Sequence, residues 1–241
     1  MVLSPLAARI KDPLREALQR VQAVISEQSV FDPLLSDRVF SIGANDNAGA
    51  VVGARLIPRL QPHGRTGLRL ALRNIEYGRL GEQLETGEVD VALVSESLVP
   101  SSMPHQVLGS DEYRLAQRKR HPRGKKPLSL DNYVGLGHIL VSGEGGGFHG
   151  FVDDILRGKG LVRRVGVSVQ HYGIVPSLIQ ATDMVCTLPS RFLDRYANAL
   201  DTFSLPFETR RFDLHATWHP RFESDPAHVW LRQQLTLCMA D

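Results

Sequence analysis

The stretch Asp37–Leu60, DRVFSIGANDNAGAVVGARLIPRL, decides the fold. Val39, Phe40 and Ile42 supply a short β-prone run, giving a strand over 39–43. Asn45, Asp46 and Asn47 are helix N-cap residues, and they stand where that run ends. Ala48–Leu60 is mostly apolar, with Arg55 and Arg59 as its charged positions, and reads as a helix. A helix opening at the carboxyl end of a strand turns unpaired N–H groups into a crevice, and that end favours an anion or an acceptor atom.

The same grammar recurs on both sides of this unit. A second strand is expected over 68–72, a helix over 77–86 stopped by Gly87 in the C′ place, and an apolar strand over 89–94. Strand, helix, strand, helix, strand makes a doubly wound half. Strands follow at 106–108 and 113–117, with a break at Gly109-Ser110, and mark a first crossing to a second lobe. In that lobe the pattern gives helices over 128–133, 148–157, 174–181 and 190–199. Its strands are expected at 138–142, 165–170 and 184–188. A short strand at 203–206 reads as the second crossing. Phe212–Trp218 alternates back into the first lobe, and Asp225-Pro226 opens a last helix ending near Ala240. The fold class is α/β: two Rossmann-like lobes, 37–110 with 208–241 and 111–207, joined by two crossing strands.

Residues 1–30 read differently. Ser4 and Pro5 cap a helix to about Ser26, and Leu3, Ile10, Ala17 and Val24 recur every seven residues with Ala7, Leu14 and Val21 between them. That seam is expected to dimerise, with Pro13 kinking the rod.

Composition narrows the function. A hydrophobic share of 42% and a charged share of 22% are those of a soluble globular protein. A net charge of +2, from 28 basic and 26 acidic residues, gives no electrostatic reason to expect nucleic acid on this chain. The basic run Arg118–Lys126, RKRHPRGKK, lacks neighbouring aromatics and reads as a solvated loop. Cys186 and Cys238 are the only cysteines and are expected as free thiols of the cytoplasm, a location favoured by the early charges Arg9, Lys11 and Asp12. The sequence holds no nucleophile elbow, P-loop or H-E-x-x-H motif, so neither an enzyme nor a cofactor is expected. The GEGGG loop at 143–147 follows a strand, but a dinucleotide fingerprint needs glycine at 148, which is Phe148. His215 and His219 share a strand face with no third ligand, so no metal is expected. A solute-binding protein of a transport system, or an enzyme on a similar two-lobed fold, stands as the alternative.

Several pieces together resemble one family. LSPLAARIKDPLREAL looks like its linker helix, and FDPLLSDRVFSIGANDN like the start of its effector domain. GEVDVAL, Arg120-His121-Pro122, GHILVS, VQHYGIVPSLIQATDMVCTLPSRF and WHPRFESDPAHVWLR fit in order. The chain resembles the regulatory part of LysR-type transcriptional regulators, in the branch of nodulation and aromatic-catabolism regulators. The resemblance implies a periplasmic-binding-protein-like fold and a small effector between the lobes. It further implies a homodimer or homotetramer, and DNA contact only through a winged helix-turn-helix that this chain lacks. It places Asn45, Asp46 and Asn47 in the effector loop of the first lobe, and His138 and His171 on the facing wall. With strand ends and helix starts added, the candidate set is Asn45, Asp46, Asn47, Arg73, Asn74, His138, Ser142, His171, Tyr172, Ile174 and Trp218. The expected ligand is a carboxylate, possibly aromatic, in a site without metal and away from any membrane. Its affinity is expected to rise as pH falls through the histidine range.

Overall fold

The computed structural model describes residues 31–60, 67–143 and 146–239. The dimerising helix expected over 4–26 lies outside the described residues.

Along β1 (Val39–Ala44), Phe40 and Ile42 are fully buried while Val39 and Ser41 are not, the period-two pattern of a strand. α1 (Asp46–Leu60) turns Ala48, Val52, Leu56 and Leu60 to the core, one residue per turn. It starts two residues earlier than the sequence suggests, because the Asn45 Oδ1 accepts from the Ala48 N–H at 2.8 Å and caps the extra turn. β2 (Arg69–Arg73) is followed by a 3-10 turn at Tyr77–Arg79 that runs into α2 (Leu80–Thr86). Gly87 ends that helix with a φ of 76°, the left-handed C′ position expected of it. β3 (Val91–Ser95), β4 (His105–Asp111) and, after a crossing at Glu112, β5 (Tyr113–Arg118) complete the first passage. β4 runs through Gly109-Ser110 without a break; its irregularity is at Leu108, which is left between the pairs Gly109–Leu214 and Val107–His215.

In the second lobe α3 (Leu130–Gly135) leads to β6 (Gly137–Val141), α4 (Phe151–Arg157) and β7 (Arg164–Val169). A 3-10 turn at Tyr172–Ile174 opens α5 (Val175–Ala181), followed by β8 (Val185–Pro189), α6 (Ser190–Asp194) and β9 (Leu200–Phe203). Two boundaries depart from the sequence reading. α4 begins at Phe151 and not at Phe148, since the Asp153 carboxylate accepts from the Gly150 N–H at 2.8 Å and caps the helix there. α6 stops at Asp194, and Leu200–Phe203 pairs with β5 within the sheet, leaving residues 204–211 as the second crossing. β10 (Phe212–Trp218) and α7 (Pro226–Met239) then return to the first lobe.

The two sheets share one plan. The first has the order β2-β1-β3-β10-β4 and the second β7-β6-β8-β5-β9. In each, a single strand, β10 or β5, runs antiparallel to the other four. Both sheets are covered on both faces. Val52, Leu56, Leu231 and Leu235 pack from α1 and α7 on one side of the first, and Leu80 and Leu84 of α2 on the other. Val175, Ile179 and Phe192 cover one face of the second, and Tyr133, Val152 and Leu156 the other.

Candidate functional site

The carboxyl ends of the parallel strands in the two sheets face a common crevice, where open α/β sheets hold ligands. A cavity of about 530 Å³ lies there, within the size range of small-molecule sites. Asn45, Asp46, Asn47, Asn74, Ser142, His171 and Tyr172 line it, so seven of the candidates are brought together.

Each of the first three does something different. Asn45 caps α1 and reaches toward the Tyr77 hydroxyl at 3.5 Å. Asp46 does not cap its own helix. Its two carboxylate oxygens accept from the N–H groups of Tyr172 (3.2 Å) and Gly173 (2.7 Å), across the cleft in the second lobe. Asn47 presents an Oδ1 that is buried and has no hydrogen-bond partner. The N–H groups of Asp46 and Asn47, in the first turn of α1, have no carbonyl one turn back to bond.

Four candidates fall elsewhere. His138 is fully buried near the start of β6 and stays out of the cavity wall, which begins at the next residue, Ile139. Its Nε2 meets the Tyr133 carbonyl at 2.8 Å, and its ring lies 4.6 Å from that of Tyr133. Burial pushes its pKa down to about 4. Trp218 ends β10, and because that strand is antiparallel its first residues, not its last, meet the cleft. Trp218 stands instead under the Arg232 guanidinium at 4.3 Å and donates from Nε1 to Glu223 at 2.7 Å. Arg73 ends the edge strand β2 with its side chain exposed, and Ile174 is half exposed outside the cavity.

The same inversion explains what strand-end reasoning on parallel strands overlooks. The first residues of the antiparallel strands, Tyr113 of β5 and Phe212 of β10, sit in the cavity wall. The Tyr113 ring packs at a tilt against Phe151 (4.4 Å) and Phe212 (4.8 Å), an aromatic group drawn from both crossings and from α4. Burial, with the nearby Asp111 charge, pushes the Tyr113 hydroxyl up to about 12, so it is a neutral donor at physiological pH. Asp213 beside it accepts from the Ser110 hydroxyl.

A buried polar chain forms the second-lobe wall. Arg163 donates to both oxygens of Asp153 (2.8 and 2.9 Å) and to the Tyr133 hydroxyl (3.2 Å), which pairs with Thr187 at 2.8 Å. Arg163 and Thr187 both line the cavity. Among the described residues no cluster of three or more His, Cys, Asp or Glu could hold a metal ion. Nor is any described helix long and apolar enough to cross a membrane.

Residues 35–237 match the family described as the LysR substrate binding domain. The chain belongs to that family. As a LysR substrate-binding domain it is the co-inducer-sensing part of a transcriptional regulator, on a periplasmic-binding-protein-like fold of two lobes. It is similar to the HTH-type transcriptional activator NagR of a Ralstonia species, 29% identical over 235 residues, which are 95% of this chain and 76% of that protein. The HTH-type transcriptional activator NahR of Pseudomonas putida is 27% identical, with 95% and 77% covered. Among solved structures, the probable transcriptional regulator PA0477 from Pseudomonas aeruginosa superposes with a TM-score of 0.77 at 27% identity, covering 96% of this chain and 77% of that one. The regulatory domain of MexT, a transcriptional activator in the same organism, gives 0.73 at 28%, with 83% and 99% covered. The LysR domain thus spans about three-quarters of its curated relatives' length.

Proposed function

We propose that this LysR domain senses a small aromatic molecule carrying an acid group, held between the lobes, and is not an enzyme. The observation that carries the reading is the aromatic cluster of Tyr113, Phe151 and Phe212 in the wall of a cavity that also holds the start of α1. A planar ring has an apolar, quadrupole-bearing surface to lie against. An acid group has the first N–H groups of α1 to meet, and on the facing wall His171. The regulator acts in the cytoplasm as a homodimer or homotetramer, and reaches DNA through the part of its relatives' length that this chain does not span.

Benzoate, benzyl alcohol and cyclohexanecarboxylate separate the two requirements. Benzoate is expected to raise the melting temperature saturably, as a ligand that binds only the folded state must. The other two, lacking the acid or the ring, are expected to bind more weakly. Tyr113→Leu should lower benzoate affinity roughly tenfold, the order of one lost aromatic contact. Equal shifts from all three probes, or wild-type affinity in Tyr113→Leu by calorimetry, would overturn the assignment.

A further inference from the structure

The Asp46 carboxylate belongs to the first lobe, yet both of its oxygens are engaged by backbone N–H groups of the second. The donor and acceptor positions are 126 and 127 residues apart in the chain, and neither lies at the crossings at Glu112 and 204–211. The contact is therefore a tie between lobes that the covalent connections do not impose. We propose that Asp46 is a positioning residue of the sensor: it holds the 171–174 turn against the cavity and thereby couples closure of the cleft to occupancy.

Three observations carry this. First, Asp46 is free to act across the cleft because α1 does not need it; Asn45 supplies the cap, and the Gly49 N–H bonds the Asn45 carbonyl at 2.9 Å. Second, the turn it holds carries His171 and Tyr172, both in the cavity wall, so moving the turn moves the wall. Third, the fit is close. A Cβ at Gly173 would stand 3.4 Å from the Asp46 Oδ2, so the carboxylate rests against a residue with no side chain to hold it off. By contrast Asp111, at the crossing, binds the start of α6 through Ser190 Oγ (2.5 Å) and the Arg191 N–H (3.2 Å). That second carboxylate sits where the lobes are already joined by the chain, so a change of interlobe angle strains it less than the Asp46 tie. The Asp46 tie is also partly open to water, which keeps it weak enough to break and re-form.

The proposal rests on the cleft being the effector site, but its first test needs no effector. Amide hydrogen exchange of the whole chain, read on a peptide spanning 170–175, is compared in wild type, Asp46→Asn and Asp46→Ala. Local exchange follows the equilibrium for opening. Loss of a charge-assisted bond of this partly exposed kind should speed Tyr172 and Gly173 about tenfold in Asp46→Ala, and less in Asp46→Asn, which keeps one acceptor. The Gly49 amide and the melting temperature should stay at wild-type values. Unchanged exchange at 172–173 overturns the tie, and faster exchange throughout α1 would make Asp46 a purely structural residue of its own helix. With benzoate as probe, Asp46→Ala should bind roughly tenfold more weakly at an unchanged melting temperature of the free protein. Equal benzoate affinity beside faster exchange overturns the coupling. Failure of benzoate to bind wild type counts against the aromatic-acid reading alone, because the exchange result stands independently.

Discussion

Arg163→Met is expected to cost about 3–5 kcal/mol of stability, the usual loss when one partner of a buried ion pair is removed. The side chain of Arg163 is 2% exposed and that of its partner Asp153 14%. Burial alone would push the Asp153 carboxyl up, but the Arg163 hydrogen bonds and charge, with the Gly150 N–H, outweigh it and hold the group below the ordinary carboxylate range. Without Arg163 that carboxylate is left buried and uncompensated, and the Tyr133 hydroxyl loses a donor. For a domain of this size the melting temperature should fall by on the order of 10 °C. Asp153→Leu added to Arg163→Met should recover much of the loss, since no charge then remains to be desolvated. A thermal melt of Arg163→Met within a degree of wild type would refute the account. The sign with pH follows from the depressed pKa: the Asp153 contribution is present above the unfolded carboxyl pKa and is lost as pH falls through the lower folded value.

The second large effect is acid lability from His138. Its folded pKa of about 4 lies below the ordinary 6.5, so on acidification the unfolded chain takes up the proton first. Stability is therefore full above pH 6.5 and drains away toward pH 4, by about 1.4 kcal/mol per pH unit from this group. His138→Leu removes the slope. At pH 7 it should cost only about 1–2 kcal/mol, because the Tyr133 carbonyl keeps the Leu136 N–H as donor (3.3 Å) and the volume is conserved. The stability curves of the two proteins should cross near pH 5, which urea unfolding at several pH values would show. Parallel curves would mean that His138 titrates normally. Placing His138 among ligand contacts led to the opposite expectation, of binding that strengthens in acid through this residue. With the imidazole buried outside the cavity wall, its protonation acts on the fold.

What the sequence makes legible is local. Asn45 after an alternating strand announces the start of α1, and Gly87 announces the end of α2, because a cap and a left-handed glycine act within one turn. The two-lobed plan follows from the repetition of such units. What it hides is direction and depth. His138 and Ser142 lie on the same run, HILVS, and nothing in its composition tells which end meets the cleft. Tyr113 and Phe212 are read as strand residues, yet they become cavity wall only because their strands enter the sheets antiparallel. The role of Asp46 was the least accessible, since its partners are the backbone of a turn more than a hundred residues away and leave no side-chain signature.

The placement of β10 has a consequence for how the protein is made. β10 lies between β3 and β4, although the whole of the second sheet is synthesised before it. The second lobe occupies one unbroken piece of chain, so it can fold as it leaves the ribosome. The first lobe cannot: until Phe212–Trp218 emerges, β3 and β4 have no strand to join them, and Leu231 and Leu235 of α7 are still missing from its core. The sensing cavity, with Phe212 in its wall, thus exists only after β10 has joined the first sheet. A chain held before Phe212 emerges has neither a joined first sheet nor a complete cavity wall, so a nascent domain is not yet a switch.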